Sequence, residues 1–275
     1  MKILDGSELA GYIKERQLKQ VRALRQSWKV FPRLAIVQTG DDLVIGVYVG
    51  LKQRYGDDIL IDVDVHKVSQ ADVKATLESL NADPLVLGII VQLPLTDPSQ
   101  TDEIVNMIAP EKDVDGLGKD ARLTPATAMA IDWLLAGYNV TLPGMNIAIV
   151  GNGRLVGAPL YKLWTGYGLN VNVYDDKTTD LGSKLIEADI IVTATGVPGL
   201  ITSAVVKPGA VIVDAGTASE HGKIVGDVSD DVRGRSDVTM TPVKGGVGPL
   251  TVAALFDNVI QASRVIADAK GQQDI

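Results

Sequence analysis

Tyr48 and Lys52 stand four residues apart in GVYVGLKQRYG, and in a helix that spacing puts both side chains on one face. The tyrosine offers a flat ring for stacking and a hydroxyl. A lysine partly desolvated in a cleft has its pKa lowered, so it can shuttle protons or orient a polarised group. Gln92 ends the run IIVQ, where open α/β sheets place ligand contacts, at the carboxyl ends of strands. Asp115 lies in EKDVDG, at a change in the character of the sequence. Singly each is an ordinary surface residue; converging on one cleft, they could bind and polarise a small molecule.

A second group follows the run NIAIV, which leads into Gly151–Asn152–Gly153–Arg154–Leu155–Val156–Gly157. Glycines there permit a tight turn and close approach of backbone to a pyrophosphate, and the next helix N-terminus adds N–H donors. Asp175 comes 24 residues after Gly151, at the end of the next apolar run, positioned to accept from a ribose 2′-hydroxyl. Asp176 adds a second negative charge, which repels a 2′-phosphate unless Arg154 or Lys177 offsets it. From these local residues, NAD is favoured over NADP.

Such residues need strands and helices in alternation to hold them. The apolar runs predict strands over 33–39, 59–65, 86–92, 146–150, 170–174, 190–194, 210–214 and 238–241. Helical periodicity covers 7–24, 70–80, 101–108, 126–136, 155–167 and roughly 249–268. Alternation with fully apolar strands predicts an α/β fold with parallel sheets covered on both faces. The polar, aperiodic stretch DGLGKDARLTP marks a boundary between two domains. The expected division is 1–118, with a C-terminal helix near 249–270 packing back on it, and 119–248 as a Rossmann-like parallel-sheet domain.

Composition narrows the function further. The chain has no cysteine, which excludes thiolate metal sites and a cysteine nucleophile and fits a cytoplasmic enzyme. His66 and His221 do not form a ligand-spaced cluster, so no metal site is expected. Net charge is −8 without a basic stripe, which speaks against nucleic acid as a partner. No unbroken apolar run reaches the roughly 18 residues of a membrane span.

Together the motifs resemble the bifunctional methylenetetrahydrofolate dehydrogenase/methenyltetrahydrofolate cyclohydrolase family. ILDG, GDD…VYVGLK, IIVQLPL, APEKDVDG, GNGRLVGAP, ADIIVTATGVPG, VIVDAG, the GDV at 226–228 and TPVKGGVGPLTVAAL occur in colinear order along the chain. The resemblance implies an N-terminal folate-binding domain, a C-terminal Rossmann-like domain, and a homodimer. It implies oxidation of 5,10-methylenetetrahydrofolate with NADP (the family default) or NAD, and hydrolysis of the methenyl product to 10-formyltetrahydrofolate. Tyr48 would stack on the folate, Lys52 would be central to catalysis with Gln92 tuning it, and Asp115 would bind the pterin. Gly246 and Pro249, in the Lys244–Leu250 loop, would border the folate, and Thr217 would contact the cofactor. Alternatives are a monofunctional NAD-dependent dehydrogenase and a catalytically silent binding module.

Several positions depart from the family pattern. Ile45 stands where the family has a serine three residues before the tyrosine, and the stretch after Asp115–Gly116 is short. Pro125–Ala126–Thr127–Ala128 lacks the family's cysteine and second proline. Gly151–Asn152–Gly153 replaces Gly-Arg-Ser, and Asp175–Asp176 replaces His-Ser, removing the usual holders of a 2′-phosphate.

Overall fold

Strands made wholly of apolar residues must be covered on both faces, and the chain does this with two parallel sheets. The computed structural model describes residues 2–40, 43–220, 223–269 and 271; His221 lies outside them. In chain order, β1 (Lys2–Ile3) and α1 (Gly6–Ser27) precede β2 (Arg33–Gln38), α2 (Leu43–Ile59), β3 (Asp62–Lys67), α3 (Val73–Ala82), β4 (Gly88–Val91) and α4 (Thr101–Val105). After α5 (Ala126–Gly137) come β5 (Ile147–Val150), α6 (Gly157–Gly166), β6 (Val171–Tyr174), α7 (Leu181–Leu185), β7 (Ile190–Thr193) and β8 (Val211–Asp214). β9 (Ala218–Glu220), β10 (Lys223–Val225), α8 (Asp230–Arg233), β11 (Thr239–Met240) and α9 (Val247–Ala269) complete the order.

The chain divides into two compact units. The first comprises Gly11–Ala126 and Val252–Ile275. Its three-stranded sheet has the order β3-β2-β4, all parallel. Ala35, Val37, Ile89 and Val91 on one face pack with Val73 and Leu77 of α3. The segment after α4 runs beside β4: the Ile89 N–H donates to the Lys112 carbonyl at 2.7 Å.

The second unit comprises Met1–Ala10 and Thr127–Thr251. Its six-stranded sheet has the order β1-β11-β8-β7-β5-β6. β5 lies between β6 and β7, so the sequence order reverses direction there, which in open α/β sheets marks the ligand crevice. Ala148, Ile191, Ile212, Leu185 and Met240 contribute to the core on one face.

Three expectations need correction. The run ILIDVDV begins as the end of α2, and the strand starts only at Asp62. Leu60 turns the chain with φ +65°, and the Ile61 N–H donates to the Gly56 carbonyl at 2.9 Å, so Ile59 and Ile61 are buried without being sheet. Residues 1–10 belong with the second unit rather than with the first half, because β1 pairs in parallel with β11; that unit resumes at Thr127. Val247–Leu250 form the first turn of α9 rather than a loop. α9 is also long and apolar enough, by length and composition, to cross a membrane, and 56% of its most apolar window is buried within the protein, as in a core helix.

Candidate active site

Lys52 owes its environment to the pattern of α2. Ile45, Val49 and Ile59 are buried apolar residues of that helix, and Gly56 is buried with them. Their spacing leaves one position in the stripe unfilled by an apolar side chain, and Lys52 occupies it. Ile45, where the family has serine, is thus a packing residue on the lysine's own face. Gly56 is required by close approach: a Cβ there would lie 2.5 Å from Val63 Cγ2 and 2.7 Å from the Ile61 carbonyl oxygen. Tyr55 fixes the helix further, stacking on Phe256 at 5.1 Å and donating to Gln17 Oε1 at 2.8 Å.

Lys52 Nζ donates to Gln92 Oε1 at 2.6 Å. Gln92 is held at both ends: its backbone N–H donates to the Val37 carbonyl at 2.8 Å, and its Nε2 to the Leu93 carbonyl at 3.0 Å. Lys52 and Asp115 keep part of their surface open to solvent but are closely packed otherwise. Burial lowers the lysine's pKa, and the negative charge of Asp115 pulls it back up. Burial likewise pushes the Asp115 carboxyl up to about 6, against the attraction of Lys52 and with a contribution from Asp113. Tyr48 is half-buried on α2, one turn before Lys52. Helix, strand end and loop therefore bring a lysine, an amide and a carboxyl together in the first unit.

The loop that carries Asp115 is tied at several points, none visible from spacing. Lys112 Nζ donates to the carbonyls of Leu80, Asn81 and Asp83 at 3.1, 2.8 and 2.7 Å, capping the C-terminal end of α3. Asp113, buried, accepts from the Gly116 and Gly118 N–H groups at 2.9 and 2.8 Å. Asn258 of α9 is also buried. Its Nδ2 donates to the Val114 and Thr124 carbonyls, each at 2.9 Å, pinning both ends of the loop.

The second unit presents the glycine turn. Gly151 has φ +102°, and a Cβ on it would lie 2.5 Å from the Ala194 carbonyl oxygen. A Cβ on Gly157 would lie 1.8 Å from the Gly151 carbonyl oxygen. These two glycines let α6 start directly against the end of β5. Gly153 plays no packing part, since a Cβ there meets nothing within 4 Å; its place in the turn is open. Arg154 and Leu155 are turn residues, and the regular helix begins at Gly157, two residues later than periodicity predicts. An open approach to the backbone at the start of a helix is what a pyrophosphate requires.

Asp175 and Asp176 are exposed beyond β6, next to the turn, whose Gly151 N–H donates to the Tyr174 carbonyl at 2.7 Å. Asp175 Oδ1 accepts from the Lys177 N–H at 3.1 Å and from Thr178 Oγ1 at 3.2 Å, which orients the carboxylate. Thr217 follows β8, its carbonyl oxygen 3.4 Å from where a Cβ of Gly196 would stand.

A buried network behind these loops escapes sequence reasoning. Asp227 Oδ2 accepts from Thr193 Oγ1 and from the Thr195 N–H, both at 2.7 Å. Asp214 accepts from Arg233 at 2.6 Å and from the Asp227 and Val228 N–H groups at 3.0 and 3.1 Å. A Cβ on Gly216 would lie 2.1 Å from the Asp227 carboxylate, and one on Gly226 equally close to that of Asp214. The glycines of VIVDAG and GDV are the only signal of it in the sequence. Gly246 and Pro249 also belong to the second unit: Gly246 is buried under Gly6, and Pro249 sits in the first turn of α9, where its missing N–H costs no helix bond.

Comparison with known proteins adds an independent line. A family model described as tetrahydrofolate dehydrogenase/cyclohydrolase, catalytic domain, matches residues 4–115. Its companion, the NAD(P)-binding domain, matches residues 125–267. The bifunctional protein FolD of a Nitratiruptor species is 36% identical over 278 residues, covering 96% of this chain and 98% of that protein. The crystal structure of the bifunctional FolD methylenetetrahydrofolate dehydrogenase/cyclohydrolase from Campylobacter jejuni superposes with a TM-score of 0.90 at 33% identity, covering 97% of this chain and 99% of that one. The FolD of Trypanosoma brucei, solved with NADP cofactor and inhibitor, gives 0.89 at 28% identity, covering 96% and 97%.

Proposed function

The chain belongs to the tetrahydrofolate dehydrogenase/cyclohydrolase family, and from that premise we propose that it oxidises 5,10-methylenetetrahydrofolate to 5,10-methenyltetrahydrofolate and hydrolyses the product to 10-formyltetrahydrofolate. The observation that carries this reading is the half-buried Lys52–Gln92 pair at 2.6 Å, with the charge of Asp115 acting on the lysine. Gln92 orients the lysine's Nζ, and burial weakens its hold on the proton. Lys52 is thereby suited to carry a proton at Nζ while water adds to the methenyl carbon and the ring opens. Asp115, on its tied loop, binds the pterin, and Tyr48 stacks on it.

The nicotinamide dinucleotide is held by Gly151, Asn152, Gly153 and Arg154, with Asp175, Asp176 and Thr217 around it. The turn fits such a group because Gly153 leaves open space where a phosphate must approach. When bound, the cofactor supplies the hydride acceptor; the protein's part is to hold the two reactants in register. NADP is the cofactor of the Trypanosoma relative. In this chain the paired carboxylates of Asp175 and Asp176 support NAD. The reading includes a homodimer, by resemblance, and a cytoplasmic location, which the lack of cysteine supports.

The test is a spectrophotometric assay with 5,10-methylenetetrahydrofolate and either NAD or NADP, following reduced nicotinamide, the methenyl product and 10-formyltetrahydrofolate. Reduction with 10-formyl product supports both activities. Accumulation of methenyl product alone would leave a dehydrogenase only, and no turnover of folate by folded protein would overturn the reading.

A further inference from the structure

Strand register leads to a residue that no motif singles out. β2 and β4 run in parallel with Val37 opposite Val91. One step further, Gln38 and Gln92 stand side by side at the carboxyl edge of the sheet. Side chains alternate between the faces of a strand. Val37 and Val91 point into the cluster with α3, so Gln38 and Gln92 belong to the opposite face, from which Gln92 meets Lys52 of α2.

Gln38 is only 3% exposed. Its Nε2 donates to the Gly40 carbonyl. Only the amide nitrogen can donate to a carbonyl, so this bond fixes the orientation of the amide. Oε1 is left buried with no hydrogen-bond partner. Such an atom destabilises the fold, and an apolar side chain of similar size would avoid the cost. The other buried unpaired side-chain atoms among the described residues, on Gln20, Asp227 and Arg264, are not next to Gln92 in the sheet.

We propose that Gln38 is a further substrate-binding residue, whose Oε1 accepts a hydrogen bond from an N–H group of the reduced pteridine ring beside Lys52 and Gln92. The inference rests on the folate reading above. A reduced pteridine carries neutral N–H donors, and a neutral buried acceptor suits them without the desolvation cost of a second carboxylate. An acceptor left unspent until the ligand arrives also discriminates, since a ligand lacking the donor leaves the oxygen unpaired.

Gln38→Leu and Gln38→Met are to be compared with wild type for thermal midpoint, for kcat and KM with 5,10-methylenetetrahydrofolate, and for dinucleotide KM. The expected result is an equal or higher midpoint, a rise of about five- to tenfold in folate KM, and little change in kcat or dinucleotide KM. An unchanged folate KM in either folded variant would overturn the proposal, whatever the midpoint does. Failure of both variants to fold would overturn it too, because the amide would then be a requirement of the fold. Wild-type protein that turns over no folate would remove the underlying reading instead, and this inference with it.

Discussion

Lys52 and Gln92 meet at 2.6 Å although forty residues separate them, one from the buried stripe of a helix and the other from the end of a central run of apolar residues. The amide accepts from the ammonium without neutralising it, so the pair holds a proton in place while leaving it transferable. An ion pair at the same distance would have bound the proton more firmly.

Removing the lysine tests its part in proton movement. Lys52→Met preserves length and fits the apolar stripe, so the protein should fold. Cyclohydrolase activity should fall about 10²- to 10⁴-fold, with dinucleotide affinity unchanged by fluorescence titration. Loss of dinucleotide binding as well would show that Lys52 has been misplaced.

The pH profile follows from Asp115. With its carboxyl pushed up to about 6, it is neutral below that pH and charged above it. If the charged form binds the pterin, kcat/KM for folate should rise with pH through about 6. Asp115→Asn should abolish that limb. It also takes away the charge that raises the lysine's pKa, so the alkaline limb of the profile should move to lower pH. A variant that keeps the acid limb would assign it to another group.

Cofactor choice is tested at β6. Asp175→Ser combined with Asp176→Arg replaces two negative charges by one positive charge. The ratio of kcat/KM for NADP over NAD should increase at least about tenfold. A ratio that stayed constant would mean that the 2′ position of the ribose is read elsewhere.

Asn258 offers a test of loop positioning. Asn258→Leu removes both bonds to the Val114 and Thr124 carbonyls. Denaturant unfolding should show a loss of about 2–3 kcal/mol, and folate KM should rise more than dinucleotide KM because Asp115 lies between the two ties. Equal rises would make Asn258 a general stabiliser of the fold.

Much of this architecture is legible in the sequence because parallel strands buried on both faces are unbroken apolar runs. The same property hides where α2 stops: Ile59, Leu60 and Ile61 suit a buried helix end as well as a strand, and periodicity cannot separate the two. β3 itself carries Asp62, Asp64 and Lys67, as an edge strand does, and Val63 and Val65 alternate with the two carboxylates. Tyr48, Lys52, Gln92 and Asp115 are legible through motif and spacing. Asp227, Asn258 and Gln38 are not, because their meaning lies in partners distant in sequence: Thr193 and Thr195, two loop carbonyls, and a strand register.

β1 is two residues long and pairs with β11, at nearly the opposite end of the chain. During synthesis this strand is made well before its neighbour, with a wait on the order of tens of seconds at ordinary rates of synthesis. The first unit is likewise incomplete until Val252–Ile275 have been made. Neither unit can close before β11 and α9 have been made. A chain cut at Ala126 would therefore not give two autonomous halves: one would lack its last helix and the other its edge strand.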